Sequence, residues 1–160
     1  MELIAGIELE NGVSALDGAD TLVSPEEYKK RVDMIDPDKI VSTLNVRNYI
    51  IFYAMVTGVY HDNTSEELTA LFGQIGMQEL LEKPVNELSR EDRIKIRCMA
   101  SRLKNVKCLV GKDMLEDLEP GQIDEMLKFL DKHICDRKCV CLLFEKKEVQ
   151  ESGIKDVYTV

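Results

Sequence analysis

The sequence predicts an α/β fold: a mostly parallel sheet with helices, and an α-helical section inserted into it. Three observations carry that expectation. Short, nearly continuous apolar runs at residues 32–35, 108–111 and 139–144 suit strands covered on both faces. Between the last two, Ile123, Met126, Leu127 and Leu130 recur at i, i+3, i+4 and i+7, the spacing of one helix face. The long stretch from Leu44 to about Leu103 reads as helix, interrupted at Gly58, His61-Asp62-Asn63, Gly73, Gly76 and Pro84.

Taken in order, Leu3 to Ile7 and Val13 to Leu16 are short apolar pieces. Glu10-Asn11-Gly12 separates them and Asp17-Gly18 follows, a pattern for a hairpin or two short strands. Ser24-Pro25-Glu26-Glu27 places a capping residue before proline at the first helical position, with acids in the first turn, so a short helix runs through about Lys30. Val32 to Ile35 forms a buried strand closed by Asp36-Pro37-Asp38. Asn45 caps a helix carrying Val46, Ile50, Tyr53, Ala54 and Val56, and Ser65 caps one presenting Leu68, Leu71 and Phe72. A third long helix covers 92–103. Strand, helix and strand over 108–144 form a crossover whose two strands are parallel, and Val157 to Val160 is a further strand. No internal repeat or low-complexity tract interrupts this order.

Length and charge narrow the function classes. A chain of 160 residues fits one domain with a single core. No segment approaches the roughly 20 apolar residues that span a bilayer, and the first residues show no basic, apolar and small-residue succession of a secretory signal. A cytoplasmic setting is the expectation, at most peripheral to the inner face of a membrane. Thirty acidic against 21 basic residues leave a net charge of -9, which disfavours nucleic-acid binding. The five cysteines are an odd number and read as reduced thiols.

The order of the pieces resembles the ATP-binding domain of ABC transporters. Leu3-Ile4-Ala5-Gly6-Ile7, then Gly12-Val13 and Leu16-Asp17-Gly18, is similar to the stretch after that family's phosphate loop, where a helix ends in "LAG" and a strand in "DG". Leu44-Asn45-Val46-Arg47-Asn48-Tyr49-Ile50 resembles the "LTVRENI" opening of the helical subdomain. Pro84-Val85-Asn86-Glu87-Leu88-Ser89 resembles the approach to the signature motif. Residues 106–120 are similar to the Walker B strand and its loop, "PKLLLLDEPTSGLDP", and residues 140–146 to the strand ending in the switch histidine, "LLVTHD". The resemblance implies a P-loop-NTPase-like, ABC ATPase-like domain over 1–160, with a helical subdomain at about 44–93. The phosphate-loop strand is absent from it.

ATP hydrolysis in that family needs a nest of backbone N–H groups and a lysine on the phosphates, magnesium held by a hydroxyl and a carboxylate, and a group orienting water. These 160 residues contain no G-x-x-x-x-G-K-[ST] run. By the resemblance, Lys112 stands at the Walker B carboxylate and would repel magnesium. Asp113 stands at the catalytic glutamate and is one methylene shorter. Pro37 replaces the glutamine between the subdomains. Ser89 of the signature remains, whereas Arg90 and Glu91 replace its two glycines. Glu119 falls at the aspartate of "LDP", and Glu145 at the switch histidine. Neither catalysis nor nucleotide binding is therefore expected at these positions. ATP and magnesium, the family's cofactors, are not expected to bind.

A zinc site from His133, Cys135, Cys139 and Cys141 is the competing chemistry at the C-terminal end. Its spacing is not that of paired C-x-x-C knuckles, and on a strand Cys139 and Cys141 share a face as small hydrophobes, so no metal is expected. The favoured function is a catalytically inactive subunit or regulatory partner of an ABC transporter. It would dock a membrane subunit or an ATPase subunit through Asp36, Pro37, Tyr49 and Tyr53, with a homodimer as a further arrangement. The alternatives are a soluble interaction or scaffold domain with no transporter link, and an ATPase fragment that needs a partner chain. The resemblance also implies that the strands at 139–144 and 157–160 pair directly or admit a strand from another chain, because the strand between them is missing.

Overall fold

The structure is a computed structural model that describes residues 15–16, 19–20, 24–40, 42–135 and 139–143. Strands β1 (Ala15–Leu16) and β2 (Ala19–Asp20) pair antiparallel, Ala15 opposite Asp20 and Leu16 opposite Ala19. Asp17-Gly18, a dipeptide suited to a two-residue turn, separates them in sequence. The expected strand at 3–7 lies outside the described residues. Helix α1 (Pro25–Arg31) has Pro25 at its first position and Glu26 and Glu27 in its first turn. It buries Tyr28 and passes directly into strand β3 (Val32–Ile35).

Strands β3, β4 (Cys108–Lys112) and β5 (Cys139–Leu143) form one parallel sheet in the order β3-β4-β5. Val32 is opposite Cys108 and Ile35 opposite Gly111, while Cys108 and Lys112 face Cys139 and Leu143. In the central strand Cys108, Leu109, Val110 and Gly111 are all buried. Both faces of β4 are therefore covered, which explains a run without polar alternation. Residues 144 and 157–160 lie outside the described residues, and with them the expected pairing of the strands at 139–144 and 157–160.

Between β3 and β4 the chain is helical. Helix α2 (Val46–Val56) starts where the Asn45 side chain accepts the Asn48 backbone N–H at 2.9 Å. Two more amides of its first turn are satisfied by a neighbouring loop, Val46 N–H donating to Lys83 O and Arg47 N–H to Leu81 O. Val46, Ile50 and Ala54 are buried, with Tyr49 and Tyr53 partly buried beside them. Val56, expected on this face, is 69% exposed. At about 100° per residue it stands about 80° from Val46 and about 120° from Ile50, past the edge of the buried stripe. Helix α3 (Thr64–Gln74) buries Leu68 and Phe72. It begins one residue before Ser65, so Ser65 is not its cap. Thr64 Oγ1 instead accepts the His61 N–H at 2.9 Å, closing the preceding turn.

Helix α4 (Arg90–Lys104) starts earlier than the expected 92, because Ser89 Oγ accepts the Asp92 N–H at 3.1 Å and caps it. It ends at Asn105, whose left-handed φ of 52° lets the chain turn out of the helix. Ile94, Ile96, Cys98, Met99, Ala100 and Ser101 are buried. Such breadth of burial fits a helix packed on α2, on β3 and on helix α5 (Pro120–Leu130) at once. A single core joins the two parts, with Ile35 and Leu109 from the sheet, Ile50 and Phe72 from the helical section, and Met126 and Leu130 from α5.

Candidate functional site at the strand ends

In an open α/β sheet, ligands bind beyond the carboxyl ends of the parallel strands. Here that ground is formed by the residues after β3, the end of β4 and the start of α4. After β3 the chain turns through a short 3-10 segment, Pro37–Lys39, because Asp36 accepts the Asp38 N–H at 3.2 Å and Pro37 fixes the first position. Pro37 is buried and Asp38 points into solvent. Lys112 closes β4 and is 41% exposed, with its ammonium 3.9 Å from the Asp113 carboxylate. Asp113 adopts a left-handed backbone, φ 47°. Arg90, at the first position of α4, reaches across both strand ends. Its guanidinium donates to Asp38 Oδ1 at 2.7 Å and to the Asp113 carbonyl at 3.1 Å.

The structure thus gathers Pro37, Ser89, Arg90, Lys112 and Asp113, five of the expected positions, about these strand ends and the start of α4. Glu91 takes another direction and pairs with Lys95 one turn along the helix. Glu119 sits at the start of α5, where its backbone N–H donates to Gln122 Oε1 at 2.9 Å. Glu145 lies outside the described residues. Of the expected docking positions, Asp36 holds the local turn and a 3.3 Å ion pair with Lys39. The Tyr53 hydroxyl is directed inward.

That inward direction exposes a second cluster, which the sequence pattern did not single out. Asp33 on β3 is buried, yet its carboxylate receives the Arg97 guanidinium at 2.8 and 2.9 Å, the Ser101 hydroxyl at 2.5 Å and the Tyr53 hydroxyl at 2.7 Å. Arg97 also lies over the Tyr53 ring, 4.1 Å from its centroid. Burial pushes the Asp33 carboxyl upward. The charge and hydrogen bonds of Arg97, the Ser101 bond and the Lys104 charge outweigh that push and hold it below its ordinary range. Burial, with the adjacent Asp33 charge, drives the Tyr53 hydroxyl well above the usual tyrosine value, so it donates as a neutral group. A charged residue at each end of a 64-residue separation was the only available signal.

The surface of α2 turned away from the core exposes Asn48 and three apolar side chains. Phe52, Met55 and Val56 are exposed by 58, 54 and 69%, with Tyr60 just beyond the helix. Gly58, with φ 72°, makes the turn that places Tyr60 there. Among the described residues no helix is long and apolar enough to cross a membrane, and no three His, Cys, Asp or Glu side chains are grouped to hold a metal. His133 packs its ring against Phe129, 5.1 Å between centroids.

Strand order, the helical section between β3 and β4, and the crossover through α5 define an α/β fold of the ABC ATPase type. Among solved structures, the chain is similar to cbiO1 from Clostridium perfringens, part of the ABC transporter complex cbiONQ, at a TM-score of 0.73 and 17% identity over 89% of this chain. It is also similar to an ATP-binding subunit of an ABC transporter, at a TM-score of 0.63 and 16% identity over 88% of this chain. In each case it spans 59% of the neighbour's length. No family model matches the sequence, and no curated protein matches it.

Proposed function

We propose that this chain is a non-hydrolysing subunit or regulatory partner of an ABC transporter, whose work is binding through its helical section. The observation that carries the reading is the charge at the strand ends. In this reading the magnesium carboxylate would stand at the end of the central strand, and there the chain presents the Lys112 ammonium, 3.9 Å from the Asp113 carboxylate that follows it. A phosphate oxygen requires open backbone amides at a helix start, and the start of α4 carries Arg90, whose guanidinium is already engaged by Asp38 and Asp113. The residues present do not fit the magnesium nucleotide.

The binding surface in this reading is the exposed face of α2, with Phe52, Met55, Val56 and Tyr60 as its apolar contacts. This replaces Tyr53 as the contact residue, since Tyr53 is held by Asp33. Two experiments test the proposal. Calorimetric titration with Mg-ATP is expected to show no affinity tighter than millimolar, and a tighter constant refutes the non-hydrolysing reading. Affinity capture of the tagged chain from detergent-solubilised membranes is expected to retain a permease subunit. Capture of soluble proteins alone would favour the scaffold reading.

A further inference from the structure

The chain leaves the sheet at the end of β3 through residues 36–45 and returns to it along α4, so these are the two covalent links between the helical section and strands β3 and β4. One side of α4 carries Arg90, Arg93, Arg97, Ser101 and Lys104, spaced by three, four, four and three residues, a continuous row on one helix face. The C-terminal end of that row meets the chain around β3, and its beginning meets the segment that follows β3. Lys104 donates to the carbonyls of Lys29 and Val32, both at 3.0 Å. Arg97 takes Asp33 and reaches the Met34 carbonyl at 3.4 Å. Arg93 reaches the Ile40 carbonyl at 3.5 Å, and Arg90 takes Asp38 and the Asp113 carbonyl.

We infer that Arg90 and Arg93 act as a cross-brace: they tie the returning helix to the outgoing segment Asp36–Ile40 and to the end of β4, holding the helical section in one orientation on the sheet. Beside the shared core, those two links are the covalent joints about which the section would pivot. Cross-linking the links to each other removes the pivot. The inward placement of both side chains is costly in itself, since the Nε atoms of Arg90 and Arg93 are buried without a hydrogen-bond partner. They are retained there by the contacts their other nitrogens make, which distinguishes them from solvated surface arginines. Asp113 contributes by its backbone alone: in the left-handed conformation its carbonyl accepts Arg90. The brace acts whether or not the α2 face meets a membrane subunit. Any partner on that face would encounter a section whose orientation is set in advance.

Hydrogen exchange of the 160-residue chain, read peptide by peptide, tests this. The reporters are the amides of Lys39 and Ile40, which donate within the 3-10 turn, and of Glu116, which donates to the Asp113 carbonyl. Arg90→Ala, alone and combined with Arg93→Ala, is expected to speed their exchange by roughly tenfold, the factor given by one lost charge-assisted hydrogen bond. Exchange in β4 should stay unchanged. Asp38→Asn, at a side chain 74% exposed and so harmless to the core, should produce the same local change in smaller degree. Lys95→Ala removes a cation from the same helix but outside the row, and should leave the reporters as they are. Unaltered reporters in both Arg90→Ala and Asp38→Asn overturn the inference. So does acceleration spread equally over β4 and the reporters, because that signals general destabilisation and no brace.

Discussion

Arg97 of α4 holds both carboxylate oxygens of Asp33 on β3 at 2.8 and 2.9 Å, across 64 residues of chain and within the buried contact between helix and sheet. Both side chains are nearly withdrawn from solvent, at 11 and 8% exposure. Removing one partner leaves the other charge uncompensated. Arg97→Ala is expected to cost about 3–5 kcal/mol, read as a lowered urea midpoint with an unchanged slope. A loss below about 1 kcal/mol would mean that water reaches Asp33.

The same carboxylate gives the protein an acid limb. Its folded pKa lies below its unfolded one, so the unfolded state binds the proton more readily. The stability it contributes is complete above the unfolded value of about 3.9, and is lost as pH falls from there through the lowered folded value. Urea midpoints measured between pH 6 and pH 3 should fall more steeply in the wild type than in Asp33→Asn. Parallel curves would remove Asp33 from the account.

On the outer face of α2, Phe52→Ser and Val56→Ser should change stability by no more than about 0.5 kcal/mol, because neither side chain belongs to the core. The double variant should nevertheless lose the permease retained in affinity capture. Retention at the wild-type level would place the binding surface elsewhere.

Asn105 ends α4 in the left-handed region, which asparagine tolerates and a β-branched residue does not. Asn105→Val is expected to cost about 1–2 kcal/mol in thermal unfolding. Asn105→Gly, free of that steric penalty, should be close to neutral.

Local signals were enough for many of the elements. Asn45 and Pro25 marked helix starts because their effect operates within one turn of backbone, and the Ile123 to Leu130 spacing gave α5 its buried side. The apolar run at β4 foretold a doubly covered strand. The resemblance placed Lys112, Asp113, Ser89 and Arg90 in one region because it supplies the long-range register that spacing lacks. Ser65 and Val56 were misjudged for a local reason: Thr64 captured the turn before α3, and Val56 falls off the periodic stripe by the geometry of the helix itself.

What the sequence by itself determined is the alternation of strand and helix, the helix starts, and the lysine, Lys112, at the end of the central strand. Only the tertiary structure decided that Tyr53 faces inward to Asp33, that Arg97 pairs with that carboxylate, and that Arg90 spans the two strand ends. Periodicity reports which side of an element is apolar and reaches a few residues along the chain. Which charges meet depends on how α4 lies along β3, and that is set by the packing of a core to which every element contributes.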